Sequence, residues 1–298
     1  MSDFPPARLQ AVKDLPVGPG WLYEPKFDGY RGLLVSSAKG NGSVWSRNDK
    51  DLGRWFPELV ELARGLPPAT VLDGEIVMPT GGGVSFIALQ RRLAQLGRES
   101  PVAFIAFDVL RSGEDLRRLT LSQRRRRLVR IVEAQGDSAL QLMTQTADLD
   151  VAEAWLDTNL DITGIEGVVC KLDEPYPGPN VRRWRKVRRV WTTELIVRGF
   201  IPEGESLRLV LAAADDHRRL VGSSYPIRMA DAGPLRQMLD DAVPAERRIW
   251  APFDDGRHDW YELQTDAPPI VEVAVTTLDS GMLRQPARFV RWRPAGPA

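Results

Sequence analysis

Residues 23–32 read Tyr-Glu-Pro-Lys-Phe-Asp-Gly-Tyr-Arg-Gly, with Lys26 between Glu24 and Asp28 and Arg31 close behind. The 40 basic residues include only six lysines: Lys13, Lys26, Lys39, Lys50, Lys171 and Lys186. A lysine in so arginine-rich a chain suggests a task that a guanidinium cannot perform. An amine attacks phosphorus or carbonyl carbon once it has shed its proton, which nearby cations and desolvation promote. Arginine stays protonated at any working pH. In an extended segment Lys26 and Asp28 point to one face. Gly29 lets the backbone turn sharply and a ligand come close. Taken alone, the segment equally fits a surface strand end of mixed charge.

Around these residues the sequence sets out short strands and a few helices. Gly32–Ser37 and Gly40–Ser46 read as two strands about a Gly-Asn-Gly turn, and Thr70–Pro79 and Ala103–Leu110 as buried or half-buried strands. Phe56–Leu66 carries apolar residues at helical spacing and stops before two prolines. Leu119–Gly136 reads as a helix capped by Ser122 and closed by Gly136, with Leu128, Ile131 and Val132 inward. Asp150–Asp161 is a further helix, Glu166–Leu172 a strand, and Arg182–Phe200 a strand or close strand pair. No lysine follows Lys186, and short strands then alternate with turns, interrupted by a helix near 232–243. Several short strands with one helix suggest a small OB-type barrel. The boundary falls between Arg189 and Thr193, giving domains 1–190 and 191–298.

Composition narrows the function classes. The 298 residues are 43% hydrophobic and 27% charged, as in a globular protein with a sizeable core. Net charge is zero, so any nucleic-acid surface must be a local patch. One cysteine excludes an internal disulfide, and two histidines beside it argue against structural zinc. No apolar run spans a membrane and no signal region opens the chain, so a cytoplasmic protein is expected. The Gln-Arg-Arg-Arg-Arg segment at 123–127 reads as a solvated helix face or a phosphate contact, and Cys170 as packing.

Six segments, in order, resemble the motifs of ATP-dependent DNA ligases, within the covalent nucleotidyltransferases that include RNA ligases and mRNA capping enzymes. They are Glu24–Arg31, Ser46–Leu59 with Arg47, Leu72–Val77, Phe86–Arg92 with Phe104–Leu110, Glu166–Lys171 and Arg182–Arg188. A seventh, Met282–Pro294, resembles the family's closing segment. The resemblance implies an α+β chain. Its nucleotidyltransferase (ATP-grasp-like ligase) domain, of antiparallel sheets with flanking helices, adenylates Lys26, and an OB-type barrel follows. It also implies a minimal bacterial ligase without the helical DNA-binding domain of larger members.

Residue roles follow from the same resemblance. Lys26 would carry AMP, Asp28 would orient metal or the 3′-hydroxyl, and Arg31 and Arg47 would contact the nick or nucleotide. Glu24 would select adenine, with Phe107 stacked on one face, or simply in the core, and Val168 covering the other. Glu75 and Glu166 would hold Mg²⁺, with Mn²⁺ as the alternative, since hard cations take carboxylate oxygens. Lys171 and Lys186 would grip the α-phosphate, and Arg182 and Arg188 would touch DNA. Arg188 replaces a second motif lysine, and Ala295 and Gly296 replace a usual acid and lysine. Pyrophosphate departure would then be slow, or lean on Arg291 and Arg293. The implied partners are ATP, nicked duplex DNA and break-repair proteins, for a monomer. The rivals are an RNA ligase or capping-type enzyme, and a nucleic-acid-binding protein with a decayed site.

Overall fold

The segment around Lys26 becomes two strands joined at Asp28–Gly29. A side chain at Gly29 would run into the Ile76 carbonyl, so the chain can bend here only without one. The computed structural model describes residues 3–81, 83–95, 101–157, 164–246, 249–250, 257–276, 278–279 and 281–293. The chain forms two compact units, Met1–Arg189 and Val190–Ala298.

In the first unit the elements are β1 (Leu9–Ala11), β2 (Trp21–Phe27), β3 (Tyr30–Ser36), β4 (Gly42–Ser46), α1 (Pro57–Gly65), β5 (Thr70–Val77), α2 (Phe86–Gln95), β6 (Ala103–Ser112), α3 (Leu121–Gln135), β7 (Leu140–Leu142), α4 (Leu149–Ala154), β8 (Ile165–Leu172) and β9 (Trp184–Arg188). One sheet runs β1-β9-β8-β2 and the other β7-β6-β5-β3-β4. Edge strands β1 and β7 pair in parallel and the remaining ladders are antiparallel, so the sheets are mixed rather than purely antiparallel.

Period-two alternation explains the layers. Leu34, Leu72, Ile76 and Phe104 turn one face of the larger sheet toward Leu59, Leu89 and Leu128 of the helices. Leu33, Val35, Ile105 and Phe107 turn the opposite face toward Trp184, Leu9 and Phe27 of the smaller sheet. Lys26, Arg31, Glu75, Phe107 and Lys171 meet between these two faces. Behind the smaller sheet Val168, Cys170 and Val187 pack with Ala152 of α4.

Helix α3 differs from the expectation at its start. Thr120, not Ser122, is the cap: Thr120 and Gln123 exchange side-chain and backbone hydrogen bonds in a capping box. Gly136 closes the helix at φ 60°. The arginine run is only partly solvated. Arg124 is fully buried and grips Asp108 through Nε–Oδ1 at 2.7 Å and Nη2–Oδ2 at 2.9 Å. Arg125 donates to the Met143 carbonyl, while Arg126 and Arg127 are exposed. The later part of the Asp150–Asp161 helix lies outside the described residues.

The second unit centres on a long strand, β10 (Trp191–Glu203), flanked by β11 (Ser206–Ala212) and, beyond it, β12 (Leu220–Ser223). On the other side lie β13 (Ile270–Val275) and β14 (Arg288–Trp292). Their inward residues, among them Val197, Leu209, Leu211, Val271 and Val273, form a core of their own. The expected barrel is not closed by strand ladders among the described residues. One isolated bridge, Ser224 to Ala287, joins the two edges. The helix expected near 232–243 is a 3-10 turn at Gly233–Met238.

Candidate active site

A β-bulge builds the site. Between Ile165 and Val168 the register of β8 against β2 slips at Gly167. Strict alternation would put Glu166, Val168 and Cys170 on one face. After the slip, Glu166, Val169 and Lys171 share the face of Glu24 and Lys26, and Val168 faces the core behind. Gly167 sits at φ 155°, and a Cβ there would collide with the Val187 carbonyl oxygen. Val168 therefore cannot cover a base in the cleft; Val169 lines it instead. From β9, Trp184 reaches the same cleft.

The cleft, about 430 Å³, is lined by Glu24, Lys26, Arg31, Glu75, Phe107, Lys171 and Trp184 among others. Lys26 forms an ion pair with Glu166. Burial pushes the Glu75 carboxyl up to about 7; Lys26 and Arg31 oppose this, while Glu166 and Asp73 add to it. Burial lowers the Lys186 pKa, helped by Arg188 and Lys26. Lys186 is thus electrostatically coupled to Lys26.

Lys171 lines the same cleft as Lys26. It is buried, with Nζ 2.6 Å from Glu24 Oε2. Nζ also sits 4.4 Å from the Phe107 ring centroid and 4.1 Å from that of Trp184. Gln145 Nε2 donates to the other Glu24 oxygen at 2.7 Å. Lys171 and Glu24 thus form one buried pair against two aromatic rings set edge to face at 78°.

Arg31 is held in place. Its Nε and Nη2 donate to the two Asp73 oxygens at 3.0 and 2.7 Å, and Nη1 donates to the Ala7 carbonyl at 2.5 Å. Burial would lower its pKa, but Asp73, Tyr176 and Glu75 outweigh that and raise it. A guanidinium so engaged is a wall of the cleft and not an arm free to reach a DNA strand. Asp28 is buried beside the bend, its N–H donating to the Gly164 carbonyl at 3.1 Å. Arg47, Arg182 and Arg188 are exposed. Arg293 belongs to the second unit and pairs with Glu194 at 2.7 Å and Glu272 at 3.3 Å. Ala295 and Gly296 lie outside the described residues.

Sequence reasoning missed Trp184, Gln145, Asp73 and Tyr176. The position of Trp184, two residues before Lys186 on one strand, marks it as sharing the face of Lys186. Nothing in the sequence marks Gln145 or Tyr176.

Among the described residues no group of three His, Cys, Asp or Glu could hold a metal. Two carboxylates do converge, and Glu166 helps hold the Glu75 carboxyl up. A hard divalent cation fits such a pair, because it relieves that repulsion and takes its other oxygens from water and phosphate.

Two facing mixed sheets with a lysine, two carboxylates and an aromatic wall between them define a nucleotidyltransferase-type cleft. A family model described as "ATP dependent DNA ligase domain" matches residues 9–188. The chain belongs to the ATP-dependent DNA ligase family. It is 31% identical to DNA ligase C2 of Mycolicibacterium smegmatis, over 97% of this chain and 90% of that one. It is 28% identical to DNA ligase C of Mycobacterium tuberculosis, over 99% and 91%. Among solved structures, the ligase domain of M. tuberculosis LigD superposes with a TM-score of 0.54 at 26% identity, covering 97% and 95% of the two chains. A mycobacterial DNA ligase D complexed with ATP and MES gives 0.55 at 26% identity, covering 97% and 94%. Among the described residues no helix is long and apolar enough to cross a membrane.

Proposed function

We propose that Lys26 is the residue through which this ATP-dependent DNA ligase takes up AMP and seals nicks. The observation that carries the reading is the position of Lys26, in an ion pair with Glu166 at one side of a cleft whose other side is aromatic. Lys26 sheds its proton to solvent, and the neutral amine attacks the α-phosphorus of ATP. A nitrogen–phosphorus bond forms and pyrophosphate leaves. AMP then passes to the 5′-phosphate of the nick, and the 3′-hydroxyl displaces it. Charge and positioning supply most of the acceleration in such transfers.

Glu75 and Glu166 would hold Mg²⁺, which neutralises phosphate charge when bound. Lys186, whose pKa burial, Arg188 and Lys26 lower, would meet the phosphates. Glu24, held by Gln145 and Lys171, would face the base, beside the rings of Phe107 and Trp184. We assign Lys171 to the base end of the cleft on the strength of its pair with Glu24. The second unit is read as an OB-type domain, supported by the bridge between its sheet edges. A role for a cytoplasmic monomer in break repair draws on the similarity to the multifunctional non-homologous end joining protein LigD of Pseudomonas aeruginosa. That similarity is 29% over the whole of this chain, which spans 38% of LigD.

The test is labelling with α-labelled ATP, followed by acid treatment and a denaturing gel. Wild type should carry an acid-labile AMP, and Lys26→Ala and Lys26→Arg should carry none. Labelling of Lys26→Arg would assign the nucleophile to another residue, and preferential labelling by GTP would point to a capping-type enzyme.

A further inference from the structure

Tyr176 lies in the turn between β8 and β9, outside every motif. It is 8% exposed, and its hydroxyl joins three separate parts of the first unit. It donates to Asp73 Oδ2 at 2.6 Å, accepts the Ala7 N–H at 2.8 Å and lies 3.2 Å from Arg31 Nη2. Asp73 Oδ2 also accepts from that same Nη2 at 2.7 Å, so phenol, carboxylate and guanidinium close a triangle. The Tyr176 ring meets Trp184 edge to face, with centroids 5.2 Å apart. Arg31 in turn lies 5.3 Å from the Phe107 centroid and 5.5 Å from that of Trp184.

We infer that Tyr176 is a positioning residue for nucleotide binding: through Asp73 it fixes the Arg31 guanidinium, and through its ring it fixes Trp184. The inference rests on reading the cleft as the ATP site. Arg31 has five N–H donors and a long, rotatable stem. Asp73 alone fixes the fork to one carboxylate. The hydroxyl fixes the carboxylate itself, because Asp73 Oδ2 accepts from both groups. A hydrogen bond to a charged group strengthens in a buried site, and its loss leaves the partner exposed to alternative rotamers. Tyr176 acts on Asp73, Arg31 and Trp184, so its influence falls on how well the cleft binds nucleotide and not on the bond made there.

Full-length wild type, Tyr176→Phe, Arg31→Lys and the double variant are compared in single-turnover formation of protein-bound AMP across ATP concentrations. Each is assayed well below its melting midpoint. For Tyr176→Phe the half-saturating ATP concentration should rise on the order of tenfold, the size of one lost charge-assisted hydrogen bond, while the limiting rate stays within about threefold. The Tyr176→Phe effect should largely vanish when Arg31 is already lysine, since the two then share one function. Asp73→Asn, which loosens the triangle from another corner, should show the same split and stands in if Tyr176→Phe does not fold. Independent, additive losses, an unchanged half-saturation, or a loss confined to the limiting rate would overturn the inference. Failure of wild type itself to form protein-bound AMP would instead overturn the ATP-site reading.

Discussion

Lys171 is where residue type and residue role part company. Its motif position implies phosphate contact, yet its ammonium is buried against Glu24 and two aromatic rings. Removing one partner of a buried pair strands the other charge, at a cost of about 3–5 kcal/mol, whereas replacing both is often close to neutral. Lys171→Met should therefore lower unfolding stability by about that amount, and adding Glu24→Gln should recover most of it in chemical denaturation. Both variants should bind ATP poorly. Glu75 makes a pH-dependent prediction. Its carboxyl sits at about 7 when folded, against an ordinary value of 4.5, so folding favours its protonated form. With metal chelated, that stabilisation is present in full below about 4.5 and is lost as pH rises through about 7. Glu75→Gln should flatten the fall in stability between these limits, by up to about 3 kcal/mol. Parallel stability curves for the two proteins would show that Glu75 titrates normally. Burial also pushes the Cys170 thiol up to about 12, so alkylation at pH 8 should await unfolding.

The elements show what a sequence can and cannot disclose. The strands bearing Glu75 and Phe107 were legible because apolar runs bounded by turns mark them locally. The faces of β8 were not legible, because the bulge at Gly167 inverts the alternation midway. Val168 was misjudged for that reason, and the same bulge brings Lys171 round to the face of Lys26. Gly167→Ala should abolish the bulge by driving a methyl group into the Val187 carbonyl. The expected result is a loss on the order of 2–4 kcal/mol in stability, together with failure to form protein-bound AMP. A variant that melts and labels like wild type would show that the strand tolerates Ala there. Arg124 was hidden differently. Four arginines in a row look alike in sequence, and only the helix phase set by Thr120 points one of them at Asp108. The triangle of Tyr176, Asp73 and Arg31 spans residues far apart in the chain, which no local pattern encodes.

At the scale of the molecule, each unit has its own apolar core, and neither carries a large excess of charge. Residues 1–191 have a net charge of +3 and residues 192–298 of −3. DNA binding should then be modest and depend on single exposed arginines such as Arg47 and Arg182. Each neutralised phosphate contributes about 0.9 to the slope of log affinity against log salt. Arg47→Gln and Arg182→Gln should each reduce that slope by about one phosphate contact on a nicked duplex, and an unchanged slope would remove that arginine from the footprint. The first unit also neutralises its own cleft, with Lys26 against Glu166 and Lys171 against Glu24. Both pairs lie between neighbouring strands of one sheet, so a nucleotide entering the cleft competes with a carboxylate for each ammonium, and affinity is traded for ease of release.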